Sequence, residues 1–233
     1  RRPRRRVQPL DGPRGAIKDA GPFVLAHYAL IANSAGVDVA MLDITDEGLA
    51  KMAAELSSCP GGRVLPLKVD ISDHAAIEDA VAKINKELGA PSILVNVAGI
   101  LSNNKLAETS VAEWDRVMNI NVTAAFLLCK ACCPAIAAQG WGRVVNISSW
   151  AWKSGGLTAV RTWLYPSLGL LSASRGLWPL PSRDLMSEPV RTQGTAYSVS
   201  KGAMTSLTFS VARQYCDQGV TCNGVAPCYV FSA

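Results

Sequence analysis

The sequence contains no run of about 18 uninterrupted apolar residues, which is the length that a membrane-spanning helix needs. The best stretch for such a span is broken by polar side chains at His27, Asn33, Ser34 and Asp38. We therefore predict neither a membrane span nor a membrane partner. The chain also lacks an internal repeat, which excludes a solenoid architecture.

Cysteine is present but irregularly placed. The seven cysteines form an odd, scattered set without the spacing of a disulfide framework. Such usage is typical of a reducing compartment and predicts a cytoplasmic protein. Cys129, Cys132 and Cys133 suggest a redox or metal site, but neither histidine is near them. Because their segment is apolar and helical in pattern, we favour buried cysteines that act as small hydrophobic side chains, and we predict no metal.

Basic charge is confined to the start of the chain. Residues 1–14 hold six arginines and one aspartate, so the rest has 17 basic and 17 acidic residues within a total charge of +5. We predict that residues 1–9 are a disordered basic tail and that the protein has no nucleic-acid partner. An organelle import segment is the alternative, although the serine enrichment of such segments is missing. Because position 1 is not Met, we expect the natural start to lie upstream.

Composition and periodicity predict one α/β domain over residues 10–233. A chain with 49% hydrophobic and 18% charged residues has enough apolar surface for a single core. Short apolar runs, each followed by a helix-like segment, predict strands at 37–43, 63–69, 92–97 and 143–147. This alternation predicts a parallel sheet with helices on both faces.

The stretch T-A-Y-S-V-S-K-G-A-M contains Tyr197 and Lys201, four residues apart. In a helix these two side chains lie on one face, so that the phenol and the ammonium can meet. A nearby ammonium favours the phenolate and lowers the tyrosine pKa from its ordinary value of about 10. Such a tyrosine can pass a proton to or from a substrate oxygen. A single match of this kind also arises by chance, so the segments that precede it matter.

Three further segments precede this stretch in a fixed order. They are N-V-A-G at 96–99, N-V-T-A-A-F at 121–126 and G-R-V-V-N-I-S-S at 142–149. Together the four segments resemble the short-chain dehydrogenase/reductase family and, within it, the 3-oxoacyl-[acyl-carrier-protein] reductases. The resemblance covers about residues 10–230. It implies a single Rossmann-like, doubly wound parallel sheet, with an imperfect first strand and a missing last strand. The implied activity is NAD(P)-dependent interconversion of a small secondary alcohol and a carbonyl compound.

The resemblance also implies four catalytic residues. Tyr197 would be the acid/base, and Lys201 would lower its pKa and hold the nicotinamide ribose. Ser149 would fix the substrate oxygen, with its neighbour Ser148 as the weaker choice. Asn121 would support a water path to the lysine. A buried amide that only satisfies its neighbours is the alternative for Asn121, and an ordinary strand-end hydroxyl is the alternative for Ser149.

A second group of residues would bind the dinucleotide. Asp43 ends the predicted strand 37–43, which is the second strand of the family pattern. A carboxylate at this position hydrogen-bonds the ribose hydroxyls and repels a 2′-phosphate, so NAD is predicted over NADP. Asp70 would contact the adenine, and either acid could instead cap a turn. The implied cofactor-binding residues are Asp43, Asp70, Asn96, Ala98, Gly99, Tyr197, Lys201 and Pro227.

The chain departs from the family pattern at three places. In the glycine-rich turn the three glycine positions hold Asp19, Phe23 and Leu25. An irregular insertion over 157–192 separates Ser149 from Tyr197, and we favour retained non-coding sequence over a lid or a partner-binding segment as its origin. The chain ends before the family's substrate-covering helix. The alternative function is therefore a non-catalytic fragment derived from the family that no longer binds dinucleotide. The resemblance further implies a homo-oligomer, formed through the helices that contain Asn121 and Tyr197.

Overall fold

The computed structural model describes residue 33 and the ranges 35–57, 61–156 and 194–227. The predictions for the basic tail 1–9, for Asp19, Phe23 and Leu25, and for the insertion 157–192 lie outside the described residues.

Strands and helices alternate along the described chain, as the apolar pattern predicts. The strands are β1 (Val39–Asp43), β2 (Val64–Lys68), β3 (Ile93–Asn96), β4 (Gly142–Ile147) and β5 (Val220–Val225). The helices are α1 (Asp46–Ser57), α2 (His74–Glu87), α3 (Val111–Met118), α4 (Ala124–Ala138), α5 (Ala151–Ser154) and α6 (Thr195–Tyr215). A π-helical turn (Asn119–Thr123) joins α3 to α4, and a 3-10 turn (Cys216–Gln218) follows α6.

All strand pairs in the described residues are parallel, which confirms the predicted class of fold. One group pairs β1 with β2, and a second has the order β3-β4-β5. In a doubly wound sheet with the strand order 3-2-1-4-5-6, strand 3 is an edge strand and the first strand lies inside the sheet. The imperfect first strand that the resemblance implies falls outside the described residues. Pro66 in β2 fits this arrangement, because proline lacks the N–H that a central strand would donate.

Capping side chains set the starts of two helices. The Asp73 carboxylate accepts hydrogen bonds from the backbone N–H groups of Ala75 and Ala76 and so begins α2. The Ser110 hydroxyl accepts the N–H of Glu113 at 3.1 Å and begins α3. Glu113 does not turn back to the cap, because its carboxylate accepts bonds from the side chains of Ser102 and Asn104. The backbone carbonyls of Ser102 and Asn104 in this loop also accept hydrogen bonds from the start of α6.

The helical run 111–138 is long and apolar enough to cross a membrane by length and composition alone, with a mean hydropathy of 1.7 over its best window. The core helix of a folded domain passes the same test. Here the run contributes buried side chains to a core between α4, α6 and the β3-β4-β5 group. That core contains Val81, Cys129, Cys132, Cys133, Ile136, Ala137, Val144, Val211, Val220 and Cys222.

The three clustered cysteines behave as the apolar pattern predicts. Cys129, Cys132 and Cys133 are each at most 5% exposed within this core. Burial raises the pKa of the Cys132 thiol to about 11 and that of Cys222 to about 12. The Cys132 and Cys222 thiols are therefore protonated near neutral pH and pack as small hydrophobic groups.

Candidate active site

Several predicted site residues lie at or just beyond the carboxyl ends of the strands. Asp43, Asn96 and Ile147 are the last residues of β1, β3 and β4, and Asp70 and Pro227 lie two residues beyond β2 and β5. Within each of the two strand groups the strands are parallel, so these positions lie at the carboxyl edge of their own group. Open α/β sheets bind ligands in the crevice outside that edge. The assignment of these residues to one common site stays a prediction.

Helix α6 brings Tyr197 and Lys201 to the same place. It starts where the N–H of Gly194 donates to the Ser102 carbonyl at 2.5 Å, and the N–H of Thr195 donates to the Asn104 carbonyl at 3.2 Å. A Cβ at position 194 would lie 2.5 Å from the Asn104 carbonyl oxygen, so this close approach requires glycine. The Lys201 Nζ then lies 5.6 Å from the centre of the Tyr197 ring. The prediction that both residues share one helix face is confirmed.

Lys201 is almost fully buried, at 4% exposure, and its amine is held by backbone. Nζ donates a hydrogen bond of 2.9 Å to the Ile147 carbonyl at the end of β4. Burial lowers the pKa of Lys201 to about 8, because the ammonium has lost most of its hydration. The amine therefore changes charge close to physiological pH, whereas an exposed lysine remains charged.

The Tyr197 phenol has the Ser149 hydroxyl as its neighbour. Burial raises the pKa of Tyr197, and the hydrogen bond with Ser149 offsets part of that rise. The expectation that Lys201 lowers this pKa is not met in this geometry, because the amine is bonded to the Ile147 carbonyl and desolvation of the phenolate dominates. Tyr197 is thus a neutral phenol at pH 7.

Ser149 lies at the turn from β4 into α5, 8% exposed. Its hydroxyl oxygen accepts the N–H of Ala151 at 3.2 Å, which holds the side chain against the first residue of α5. The hydroxyl proton remains available to a second acceptor, since this bond uses only a lone pair. Ser149 therefore combines the strand-end role considered as its alternative with a contact to Tyr197.

Ser148, the weaker choice, contacts a different part of α6. Its hydroxyl donates to the Lys201 carbonyl at 2.7 Å and lies 3.0 Å from the Thr205 hydroxyl. Its backbone N–H donates to the Val225 carbonyl at 2.8 Å. Ser148 thus joins β4, β5 and α6, and its side chain is turned away from the Tyr197 phenol toward the helix backbone.

The side-chain amide of Asn121 forms hydrogen bonds with neighbouring groups. Its Oδ1 accepts the Ile100 N–H at 2.8 Å, and its Nδ2 donates to the Ile100 carbonyl and to the Ser200 hydroxyl, both at 3.0 Å. The residue is 1% exposed and lies in the π-helical turn. Turns of this kind recur at functional sites because they displace a helix locally. The side chain therefore fits the alternative of a buried amide that satisfies its neighbours.

The end of β3 carries a buried asparagine, Asn96, and the segment after it has an open position at Gly99. The Asn96 side chain is 6% exposed and donates to Asn146 Oδ1 at 2.8 Å and to Cys129 Sγ at 3.5 Å. It ties β3 to β4 and is turned into the sheet, away from the crevice. Ala98 and Gly99 follow at the edge, and a Cβ at Gly99 would lie 3.2 Å from Asn121 Oδ1 and 3.4 Å from Lys201 Nζ. Glycine keeps this approach to the two side chains open.

The two acids predicted to bind the dinucleotide also cap turns, and they differ in burial, since Asp43 is partly buried and Asp70 is exposed. Asp43 Oδ1 accepts the N–H and the hydroxyl of Thr45, both at 2.8 Å. Asp70 Oδ1 accepts the hydroxyl of Ser72 at 2.7 Å and its N–H at 2.9 Å, and these bonds lower the pKa of Asp70. Both carboxylates lie at the carboxyl ends of their strands. Their chemistry fits ribose or adenine donors, and their turn-capping role is present as well.

Pro227 contributes through its backbone. Its carbonyl accepts the N–H of Trp150 at 2.9 Å, which ties the end of β5 to the turn after β4. The chain is described only as far as this residue.

A surface groove of about 510 Å³, lined in part by Trp152, Val199 and Gly202, lies on another face of α6 and includes none of the four predicted catalytic residues.

The sequence reasoning missed Ser200. This serine is fully buried, accepts the Asn121 amide, and donates to the Tyr197 carbonyl at 2.7 Å. A signal was present, because Ser200 lies three residues after Tyr197, the spacing at which a helical serine bonds back to the preceding turn.

Comparison with known proteins gives a consistent answer. Residues 26–160 match the family described as short chain dehydrogenase. The chain is 33% identical over 195 residues to 2-(R)-hydroxypropyl-CoM dehydrogenase of Xanthobacter autotrophicus, which covers 82% of this chain and 64% of that protein. It is 32% identical over 199 residues to the inactive 2-(S)-hydroxypropyl-CoM dehydrogenase 2 of the same organism, covering 85% of this chain and 70% of the relative.

A solved structure shows the same architecture. The crystal structure of NAD+-bound xylitol dehydrogenase superposes with a TM-score of 0.67 at 25% identity, covering 89% of this chain and 66% of that one. The chain thus spans about two thirds of the length of the proteins it matches. The family match covers more than half of the chain, and it agrees with the parallel sheet and with the convergence of Ser149, Tyr197 and Lys201. The chain belongs to the short chain dehydrogenase family.

Proposed function

We propose that the protein interconverts a small secondary alcohol and the corresponding carbonyl compound, with Tyr197 as the proton donor and acceptor. The observation that carries this proposal is the contact of the Ser149 hydroxyl with the Tyr197 phenol, beside the buried amine of Lys201. These groups come from two elements that lie 48 residues apart in the sequence. Relatives that are named as hydroxypropyl-CoM dehydrogenases support an alcohol or carbonyl substrate.

The residues divide the work at the substrate oxygen. Ser149 would donate its hydroxyl proton to that oxygen and hold it beside Tyr197. Tyr197, a neutral phenol at pH 7, would give its proton to the oxygen as the carbonyl is reduced, and would take it back in the reverse direction. Lys201 lies close enough to stabilise a transient phenolate when its amine is charged, which a pKa of about 8 allows at pH 7.

The residues at the carboxyl edge fit a nicotinamide dinucleotide, which when bound would supply or accept the hydride. Gly99 leaves open space beside Lys201, and the partly buried Asp43 and the exposed Asp70 offer carboxylates at the ends of neighbouring strands. We propose NAD over NADP, because the charge of Asp43 at this edge would repel a 2′-phosphate.

A non-catalytic role is the second proposal, and a specific observation favours it. The three glycine positions of the phosphate-binding turn hold Asp19, Phe23 and Leu25, whose side chains would compete with a pyrophosphate for space. A relative that is 32% identical carries the description inactive. Under this proposal the fold persists without dinucleotide binding.

One titration separates the two proposals. Purified full-length protein is mixed with increasing NADH while the fluorescence of the nicotinamide is followed. Saturable binding, competed by NAD+, supports the oxidoreductase. Fluorescence that rises only in proportion to added NADH, with protein that is folded by circular dichroism, supports the non-catalytic role.

Self-association is a further proposal from the family resemblance. Phe126 on α4 and Phe209 on α6 are 48% and 71% exposed, on the helical run that contains Asn121 and on the helix that contains Tyr197. Large exposed aromatic side chains are enriched at protein interfaces, which supports contact between copies through these helices. Sedimentation equilibrium of the wild type and of Phe209→Glu tests it, since a monomeric wild type would rule it out.

A further inference from the structure

Ser200 occupies the junction between the π-helical turn and α6. Its oxygen accepts the Nδ2 of Asn121 at 3.0 Å, and its hydroxyl proton is donated to the Tyr197 carbonyl at 2.7 Å. Both Ser200 and Asn121 are at most 1% exposed. The bond to Tyr197 orients the hydroxyl so that a lone pair faces the amide. One side chain therefore connects two of the predicted catalytic residues.

We propose that Ser200 is a positioning residue that couples Asn121 to the turn carrying Tyr197 and Lys201, a role that rests on the proposed function. The remaining bonds of the Asn121 side chain are both made to Ile100. Ser200 thus supplies the side-chain hydrogen bond from this amide to α6. Removing its oxygen would leave a buried N–H without an acceptor, a cost that the structure can relieve by moving α6 or by admitting water.

Lys201 is the residue that would respond to such a change. Its Nζ and the Asn121 Oδ1 approach Gly99 from the same side, since a Cβ there would lie within 3.4 Å of both atoms. Around the amine lie the Ile147 carbonyl from β4, Gly99 after β3, and Tyr197 on α6 itself. Of these groups Tyr197 is the one that titrates. Water that enters beside Ser200 would hydrate the ammonium and reverse part of the effect of burial.

Ser198 is a matched control within the same helix. It is 7% exposed, and its hydroxyl donates to the Gly194 carbonyl at 3.2 Å, one turn back along α6. Both serines are therefore buried and bonded to the preceding turn, but Ser200 alone also receives the Asn121 amide. A difference between Ser200→Ala and Ser198→Ala isolates that bond from the general cost of removing a buried hydroxyl.

The test is a titration of Lys201 by NMR in full-length protein carrying 13C-labelled lysine, without cofactor or substrate. The resonance is assigned with Lys201→Met. For Ser200→Ala we expect the Lys201 pKa to rise by about half a unit or more, while Ser198→Ala leaves it unchanged. Ser200→Thr, which retains a hydroxyl able to bond back along the helix, should restore the wild-type value. Equal shifts for the two alanine variants, or no shift in either, would overturn the proposal.

Two further readouts complete the design. If Ser200→Ala does not fold, Ser200→Cys replaces the oxygen with a weak acceptor of similar shape, and the same shift is expected. In an active preparation Ser200→Ala should lower kcat and move its pH profile with little change in the KM for NADH. Absence of NADH binding by the wild type would refute the proposed function, whereas the Lys201 titration would still decide whether Ser200 positions the lysine.

Discussion

The polar side chains of the two strand groups differ in their burial and in their hydrogen bonding. Between β3, β4 and α6 the amides and hydroxyls are buried and linked to one another across elements, as in the chain from Asn96 through Asn146 to Thr208. At the carboxyl ends of β1 and β2, the partly buried Asp43 and the exposed Asp70 accept hydrogen bonds from residues two positions ahead. The half that holds the proposed acid/base chemistry is thus fixed by its own packing. The other half contributes Asp43 and Asp70 to the proposed dinucleotide site without such a network.

The largest effect is expected at Tyr197, in the buried half. Replacing it in Tyr197→Phe removes the proton donor, and general acid/base catalysis contributes about 10²–10⁴-fold to a rate. We expect kcat to fall by that factor while NADH affinity is unchanged, measured by steady-state kinetics and fluorescence titration. Tyr215→Phe, at the end of the same helix and packed on the core, is the control. A fall of the same size in both variants would assign the loss to packing.

The charge of Lys201 should also appear in the stability of the protein. Its folded pKa of about 8 lies below the ordinary value of 10.5, so between these pH values the unfolded chain binds more protons, and the contribution of Lys201 to stability rises with pH. The burial penalty below pH 8 is about 3 kcal/mol at 1.36 kcal/mol per pH unit. Urea denaturation of wild type and Lys201→Met should show that wild type gains stability relative to the variant from pH 7.5 to pH 10.

Buried thiols make this difference measurement necessary. The raised pKa values of Cys132 and Cys222 act in the opposite direction, since the unfolded thiols lose protons first as the pH rises above about 8. They are present in both proteins and cancel in the comparison. A gap between wild type and Lys201→Met that stays constant over this pH range would show that Lys201 is not buried as described.

The amide network of the buried half is the next target. Asn146→Ala removes the acceptor of the Asn96 amide and the donor to Thr208. Leaving such buried groups unpaired costs about 1–3 kcal/mol, which we expect as a loss in the free energy of unfolding in urea. Thr45→Val, which removes an exposed hydroxyl bonded to Asp43 beside β1, should change it by less than about 0.5 kcal/mol. Similar losses in the two variants would erase the distinction between the strand groups.

Much of this arrangement is readable from the sequence, for a physical reason. Alternating apolar runs and helix-like segments predict a parallel sheet, and parallel pairing puts Asn96 and Ile147 at the carboxyl edge of one strand group and Asp43 at that of the other. The four-residue spacing of Tyr197 and Lys201 needs only a helix to place them on one face. The fold and the gathering of the site depend on periodicity alone, which a single sequence carries.

The features that the sequence did not predict depend on tertiary contacts. The raised pKa of Tyr197 depends on how deeply the phenol is buried, which no spacing reveals. The inward direction of Asn96 and the role of Ser200 depend on Asn146 and Asn121, which lie 50 and 79 residues away in the chain. The similarity to 3-oxoacyl-[acyl-carrier-protein] reductases stays a prediction, because substrate choice depends on parts of the molecule beyond this edge.

The smallest effect is expected at Asp43, at the partly buried end of β1. Asp43→Asn removes the charge proposed to repel a 2′-phosphate and retains an oxygen for Thr45, so the turn should persist. Exposed charge pairs are worth about 0.2–1 kcal/mol, and we therefore expect the ratio of NADPH to NADH affinity to rise by about 2-fold to 5-fold. The effect should shrink as salt is raised from 50 to 500 mM, because exposed charges are screened. An unchanged ratio at low salt would mean that Asp43 only caps its turn, and that this strand group reads no phosphate through that residue.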